Sequence, residues 1–391
     1  MFVDLSLNHI LDIGLRLGQQ RRVPVRLMPR RGSVRGSALL SYLAEPAAWS
    51  AGDRRLRGHT NKWESRELAH ALCDLGWVTD VIDFNQVGWE PRQNYDVVIA
   101  LDAELTPLRE AANPSVALIH MTGAAPAFQN AAEIGRIDEL ARRRSGVVCA
   151  PRRLVPDTAT AQHAQETADA CSLVGNDWTL STYPGKVQQK TTLLDVTASS
   201  VRSVKVLGRM VPSPPEFLWF FGSGAVHKGL DRVLEVFAVE PDLTLHVAGN
   251  ISGEQDFLDA YQHELYELPN IQFHGIVDPM SRDFSALIDR CVGFVAPSCS
   301  EGMSPSCATL LQVGLYPIIS RETGISLPTG TGLYLEQSSS GEIREAVLRV
   351  AGAPRAELER ELEEIQRDAL NRYSRASFAT NIRAYLTKIL A

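Results

Sequence analysis

The chain has 391 residues, which at about 150 per domain makes two or three domains and excludes a lone small module. Apolar residues make up 45% and charged residues 22%, a globular balance that excludes a mainly disordered or fibrous chain. A net charge of −7 excludes a general nucleic-acid binder, which needs a positive field to displace counterions.

Residues 1–35 read as a separate N-terminal helix and basic arm. Leu5, Ile10, Leu11, Ile13, Leu15 and Leu17 predict the helix, and the arginine-rich run RRVPVRLMPRR follows, its two prolines stopping regular helix. With the early Asp4 and an interrupted apolar pattern, the N-terminus does not read as a signal peptide, and no run of about eighteen apolar residues predicts a membrane span. The six cysteines form no C-x-x-C pair, which fits reduced cytosolic thiols better than disulfides or a zinc site. The expected location is the cytoplasm. The basic segments 21–31 and 136–144 leave open a peripheral contact with the inner face of a membrane, the plainer reading of such a run being a solvated surface.

Residues 36–190 read as one α/β domain. ALLSYL (38–43), VTDVIDF (78–84), YDVVIAL (95–101), SVALIHM (115–121), GVVCA (146–150) and CSLVGN (171–176) are short runs apolar on both faces, as a parallel sheet covered by helices requires. Between the first two, Asn61 followed by Glu64 predicts a capping box, Trp63, Leu68, Ala71, Leu72 and Leu75 a helical face, and Gly76 the stop. The rhythm breaks over about 185–213, between Pro184-Gly185 and the turn-rich VPSPPE, a passage between domains. A second α/β series over 191–370 contains EFLWFFG, LTLHVAG, IQFHG, CVGFVAPS and YPIIS. A C-terminal helix over 371–391 is expected to pack back towards the N-terminal domain.

Two doubly wound domains in tandem place the carboxyl ends of two sheets across a cleft, where ligands of open α/β sheets bind. FGSGAVHKGLDRVLEVF (221–237) is a strand, a glycine loop and a helix. Its glycines allow close backbone approach, and Lys228 stands where a phosphate would meet both its ammonium and the helix dipole. In APSCSEGMSPSCATLLQVGLYPIIS (296–320), Ser304 caps a helix with Pro305 at its first position and Gly314 as its stop. Glu301 can accept sugar hydroxyl hydrogen bonds there, and the free N–H groups of 303–307 can hold a phosphate oxygen. A carboxylate beside that helix end requires a partner. The chain carries no P-loop, G-x-S-x-G, H-E-x-x-H or D-x-D motif, so no metal or cofactor is expected.

Together FGSGAVHKGLD, HVAG, PNIQFHGIV and SCSEGMSPSCATLLQVGLYPIIS resemble the donor domain of retaining GT-B glycosyltransferases of the family 4 type, also called glycosyl transferases group 1. The resemblance covers about 216–385 well and the N-terminal half loosely. It implies a nucleotide diphosphate sugar as co-substrate, with Lys228 neutralising the diphosphate and Glu301 binding hydroxyls of the sugar. It also implies donor contacts from Gly222, Gly224, Gly275, Gly302, Met303 and Ser304, the last three through main-chain groups. His120, at the end of its strand, is similar to a family histidine that orients donor or acceptor, the plainer reading being a structural histidine. The loop 44–61 stands where the family carries a short Gly-Gly loop; His59, Thr60 and Asn61 can touch phosphate or acceptor in its place.

Two departures are visible. Thr309 occupies the position of the second glutamate of the family's E-x7-E pattern, which alters ribose recognition, and no arginine precedes Lys228 in its loop, which leaves one cation for the diphosphate and invites a helper from the N-terminal half. The expected function is transfer of a hexose-type sugar to a hydroxyl of a saccharide or lipid-linked saccharide in cell-surface polysaccharide synthesis. The alternative is a catalytically weak relative that binds a glycan or partner as a non-enzymatic subunit.

Overall fold

The computed structural model describes residues 24–29, 33–58, 60–86, 89–91, 93–202 and 215–391. The helix expected over 5–17, part of the basic arm, His59 and most of VPSPPE lie outside these residues.

Seven strands make the first sheet: β1 (Val25–Leu27), β2 (Gly36–Tyr42), β3 (Trp77–Asp83), β4 (Val97–Ala100), β5 (Val116–Met121), β6 (Ala170–Val174) and β7 (Thr191–Leu194). Their order is β1-β3-β2-β4-β5-β6-β7, and every pairing is parallel except that of β1 with β3. The second sheet comprises β8 (Glu216–Phe221), β9 (Thr244–Gly249), β10 (Ile271–Gly275), β11 (Cys291–Ala296), β12 (Tyr316–Ser320) and β13 (Leu333–Leu335). It is wholly parallel in the order β10-β9-β8-β11-β12-β13, so β8 and β11 lie side by side at its centre. Two Rossmann-like, doubly wound domains follow from these sheets, and the apolar runs of the sequence become their buried central strands because helices cover both faces.

Four local expectations change. GVVCA (146–150) forms no strand: after the helix Pro126–Arg143 the chain turns at Gly146, φ +89°, and buries Cys149 and Val147 against the core of the second domain. Its apolar run is satisfied by packing between domains instead of by pairing in a sheet. β7 falls inside the stretch read as interdomain passage and extends the first sheet by one edge strand. The short β13, missed in the sequence, does the same for the second. Finally, the helix Thr60–Asp74 already includes Asn61 in its first turn, so Asn61 and Glu64 form no capping box. Gly76 does end that segment with a left-handed φ of +97°.

Glu64 turns inward instead, accepting hydrogen bonds from Thr197 N at 3.0 Å and Thr197 Oγ1 at 3.1 Å on the chain that leads to the second domain. Burial pushes its carboxyl up to about 7, against those two hydrogen bonds. A raised carboxyl contributes stability that is present below its unfolded value near 4.5 and is lost as pH rises through 7. Glu64→Gln, which keeps an acceptor for Thr197, is therefore expected to stabilise the protein at pH 8 by roughly 1–3 kcal/mol and to change little at pH 5. Denaturant midpoints at the two pH values check this; equal shifts at both would refute it.

The final helix, Arg375–Ile389, packs Phe378, Ile382, Tyr385 and Leu386 into the first domain's core beside Leu40, Leu68 and Leu72. The segment 136–144 is not an open basic face. Arg136 Nη2 donates to Pro297 O at 2.8 Å, Arg143 pairs with Asp231 and Glu235, and Arg144 with Glu264, all in the second domain. These arginines make a seam between domains, completed by Arg232 with Glu139 and Arg152 with Asp256. In the basic arm, Arg26 of β1 is held by both oxygens of Asp80 at 2.7 Å. Among the described residues no helix is long and apolar enough to cross a membrane.

Candidate active site

The carboxyl ends of β8 and β11 bring two loops together. After β8 the chain runs Gly222-Ser223-Gly224-Ala225-Val226-His227-Lys228-Gly229 before the helix Leu230–Ala238, with left-handed Gly224 (φ +93°) and Gly229 (φ +70°) making the turns. Lys228 N donates to Gly224 O at 2.8 Å and Trp219 Nε1 to Lys228 O at 3.2 Å, which fixes the lysine's backbone just ahead of the helix. After β11 the chain runs 297–301, and Cys299 N donates to His227 O at 2.9 Å while His227 Nε2 and Ser300 O lie 2.7 Å apart. The two loops are thus stitched side by side.

At their junction Lys228 Nζ pairs with Glu301 Oε1, and Ser298 Oγ donates to the same oxygen at 3.3 Å. The lysine and glutamate side chains are only 8% and 14% exposed. Burial alone would raise the Glu301 carboxyl; the charge of Lys228, with those of His227 and Arg153 behind it, outweighs burial and holds it below the ordinary glutamate range. The partner that a carboxylate at this helix end requires is therefore Lys228.

Ser304 caps the helix Pro305–Gln312, its Oγ accepting from Cys307 N, while Ser304 N donates to Thr323 O at 2.8 Å. Gly302 presses against the first domain and Met303 against the interdomain passage: Gly302 O accepts from Thr179 Oγ1 at 2.7 Å, and Met303 Sδ accepts from Val196 N at 3.3 Å. A β-carbon on Gly302 would lie 2.4 Å from Thr122 O, just beyond β5, and 2.7 Å from Val174 O at the end of β6. The carboxyl ends of both sheets therefore face each other across this loop.

The other residues singled out in the sequence have different partners. His120 is 1% exposed inside β5, with Nδ1 2.9 Å from Ser172 Oγ and its ring 5.7 Å from that of Tyr42; burial lowers its pKa to about 4, so it is neutral at pH 7. Its Nε2 has no partner among the described residues. Thr309 is fully buried; its hydroxyl accepts from Ser199 N at 2.9 Å and donates to Pro305 O at 2.7 Å, so the side chain ties the helix to the interdomain passage. Thr60 and Asn61 open their helix, and the adjoining loop is tied to the same passage by Ser200 N donating to Arg57 O at 3.1 Å. Gly275, φ +65°, closes β10 at the outer edge of the second sheet, two strands from β8. Among the described residues no group of three or more His, Cys, Asp or Glu is placed to hold a metal ion.

Three residues were missed. Glu254, 5% exposed, accepts from Gly224 N at 2.6 Å and Ala225 N at 2.9 Å and so holds the glycine loop in shape. Glu133 of the first domain stands 3.8 Å from His227 Nδ1 and accepts from the backbone N–H groups of Arg152 and Arg153. Arg153 lies against Gly224. Glu254 follows the end of β9, so the strand-end rule that singled out Lys228 pointed to it as well; Glu133 and Arg153 carried no local signal.

No family model and no curated protein matches the chain. Among solved structures it is similar to sucrose-phosphate synthase from Thermosynechococcus elongatus, with a TM-score of 0.62 and 16% identity over 92% of this chain and 99% of that one. It is similar also to Anabaena HepE in complex with UDP and glucose (TM-score 0.54, 11% identity, 90% and 98% covered) and to the lipopolysaccharide outer core galactosyltransferase WaaB (TM-score 0.54, 10% identity, 90% and 99% covered). The fold is GT-B.

Proposed function

We propose that the chain is a retaining glycosyltransferase that moves a hexose-type sugar from a nucleoside diphosphate sugar to a hydroxyl of a saccharide or lipid-linked acceptor. The observation that carries this reading is the buried Lys228–Glu301 pair at the junction of the two strand-end loops. A lysine and a carboxylate satisfied by one another there are a site in its resting state. An entering diphosphate takes over the Lys228 ammonium, with the amino end of the helix Pro305–Gln312 beside it, and releases Glu301 to accept sugar hydroxyls. The solved relative that holds UDP and glucose supports a donor of this class.

In this mechanism the diphosphate leaves under the stabilising charge of Lys228, and Glu301 orients the sugar. The acceptor hydroxyl attacks the anomeric carbon from the face that the leaving phosphate vacates, and its proton passes to an oxygen of that phosphate. The cleft must exclude water, which would otherwise hydrolyse the donor. No metal or cofactor besides the nucleotide sugar enters the reading, and the six buried free cysteines support a cytoplasmic setting.

The test is a panel of UDP-, GDP- and ADP-sugars offered to the purified protein, with release of the nucleoside diphosphate as readout. Slow hydrolysis of one donor, accelerated by a saccharide acceptor, is expected. A second reading, a non-enzymatic glycan-binding subunit, draws on Thr309, whose buried hydroxyl leaves the ribose without the contact that the family's second glutamate supplies. Glycan binding with no turnover of any donor would favour it.

A further inference from the structure

The glycine loop around Lys228 carries one cation, and a nucleoside diphosphate brings two or more negative charges. A second cation reaches this loop from the other domain. The segment after the helix Pro126–Arg143 crosses to the second domain, where Arg152 N and Arg153 N donate to the Glu133 carboxylate at 2.7–3.0 Å and Arg153 O accepts from Gln129 Nε2. This backbone clamp sets the Arg153 side chain against the turn of the loop. A β-carbon on Gly224 would meet Arg153 Cγ at 3.1 Å and Cδ at 3.5 Å.

The guanidinium beyond those carbons differs from its neighbours. Arg143, Arg144 and Arg152 are committed to carboxylates or carbonyls of the second domain and Arg136 is buried, with Nη2 on Pro297 O and Nη1 without a partner among the described residues, whereas the Arg153 guanidinium is exposed and has no ion pair or hydrogen bond among the described residues. Its charge still reaches Glu301, whose carboxyl it helps to hold down. An arginine with a fixed backbone, an unpaired planar fork and a place beside Gly224 is pre-organised for a phosphate oxygen.

We propose that Arg153, reaching across from the first domain, is the second diphosphate-binding residue of the Lys228 site. This rests on the nucleoside diphosphate sugar reading above. Because the arginine belongs to one domain and the lysine to the other, a bound diphosphate draws on both, and its binding depends on the seam that holds the segment 144–157 to the second domain.

The experiment is calorimetric titration of the full chain with UDP, GDP and ADP and with uridine, guanosine and adenosine, at two salt concentrations. For the diphosphate that binds, Arg153→Ala is expected to weaken affinity about tenfold or more, to leave the matching nucleoside unchanged and to reduce the salt dependence, with Arg153→Lys recovering part of the loss. The melting temperature of Arg153→Ala should stay close to that of the unsubstituted protein, since the exposed guanidinium has no hydrogen bond or ion pair among the described residues to lose. Equal diphosphate affinity in Arg153→Ala and the unsubstituted protein overturns the assignment and leaves the donor reading intact. An equal loss for diphosphate and nucleoside also overturns it, because the effect is then structural. No diphosphate binding by the unsubstituted protein up to millimolar concentration overturns both.

Discussion

Lys228→Ala is expected to lower sugar-transfer kcat/KM by at least about a hundredfold and to cost about 3–5 kcal/mol of stability, because it removes one partner of a largely buried ion pair. The two effects have separate signatures. With the ammonium gone, burial is opposed on Glu301 only by the smaller charge effects of His227 and Arg153, and its carboxyl rises. In the unsubstituted protein the depressed carboxyl contributes stability that is present above its unfolded value and lost as pH falls through the folded one; in Lys228→Ala that acid-side loss shrinks. The double substitution Lys228→Met with Glu301→Gln removes both charges and should regain most of the stability while regaining none of the turnover. Denaturant midpoints between pH 3 and 8, measured beside donor turnover, check this. Full activity in the double variant would show that the pair serves only the fold.

Gly324→Ala should be the most damaging glycine substitution among the described residues. A β-carbon there would stand 1.8 Å from the carbonyl oxygen of Gly302 and 3.0 Å from Met303 Cα, all of it backbone that cannot swing aside, and the residue has φ +68°, which costs an alanine about 1–2 kcal/mol by itself. The loop 302–304 must therefore shift, and it is the loop wedged between the two domains at Thr122 and Val174. A total loss of about 3 kcal/mol or more is expected, with donor turnover falling further than stability because Glu301 and Ser304 flank the displaced segment. Gly222→Ala is the control, since a β-carbon there meets nothing within 4 Å. Equal midpoints for the two variants would refute the close approach.

Much of the frame was legible in local signals. The β-branched and apolar runs became β2–β6, β8–β12 and the cores around them, Ser304 and Pro305 opened the helix 305–312, and Gly76 ended its segment. Each rests on sequence period or on a cap read within a few residues. GVVCA misled because an apolar run states only that it will be buried, not against what. Glu64 misled because the cap pattern S/T/N-x-x-E is local, while Thr197, its actual partner, lies 133 residues away. Arg143 and Arg144 read as part of a charged face because their carboxylate partners lie about 90 to 120 residues further on.

What the sequence by itself determined is the class of each half, two parallel sheets under helices, and the two strand-end loops where Lys228 and Glu301 stand. Period, propensity and capping act over one turn or one strand, and those statements need nothing more. Tertiary structure decided that Lys228 and Glu301 meet across 73 residues, that Thr309 turns its hydroxyl to Ser199, that Glu254 fills the glycine loop, and that Arg153 arrives from the other domain. Those pairings follow from the order of strands within each sheet and from the packing of one sheet's carboxyl edge against the other, which bring together charges whose distance along the chain carries no local trace.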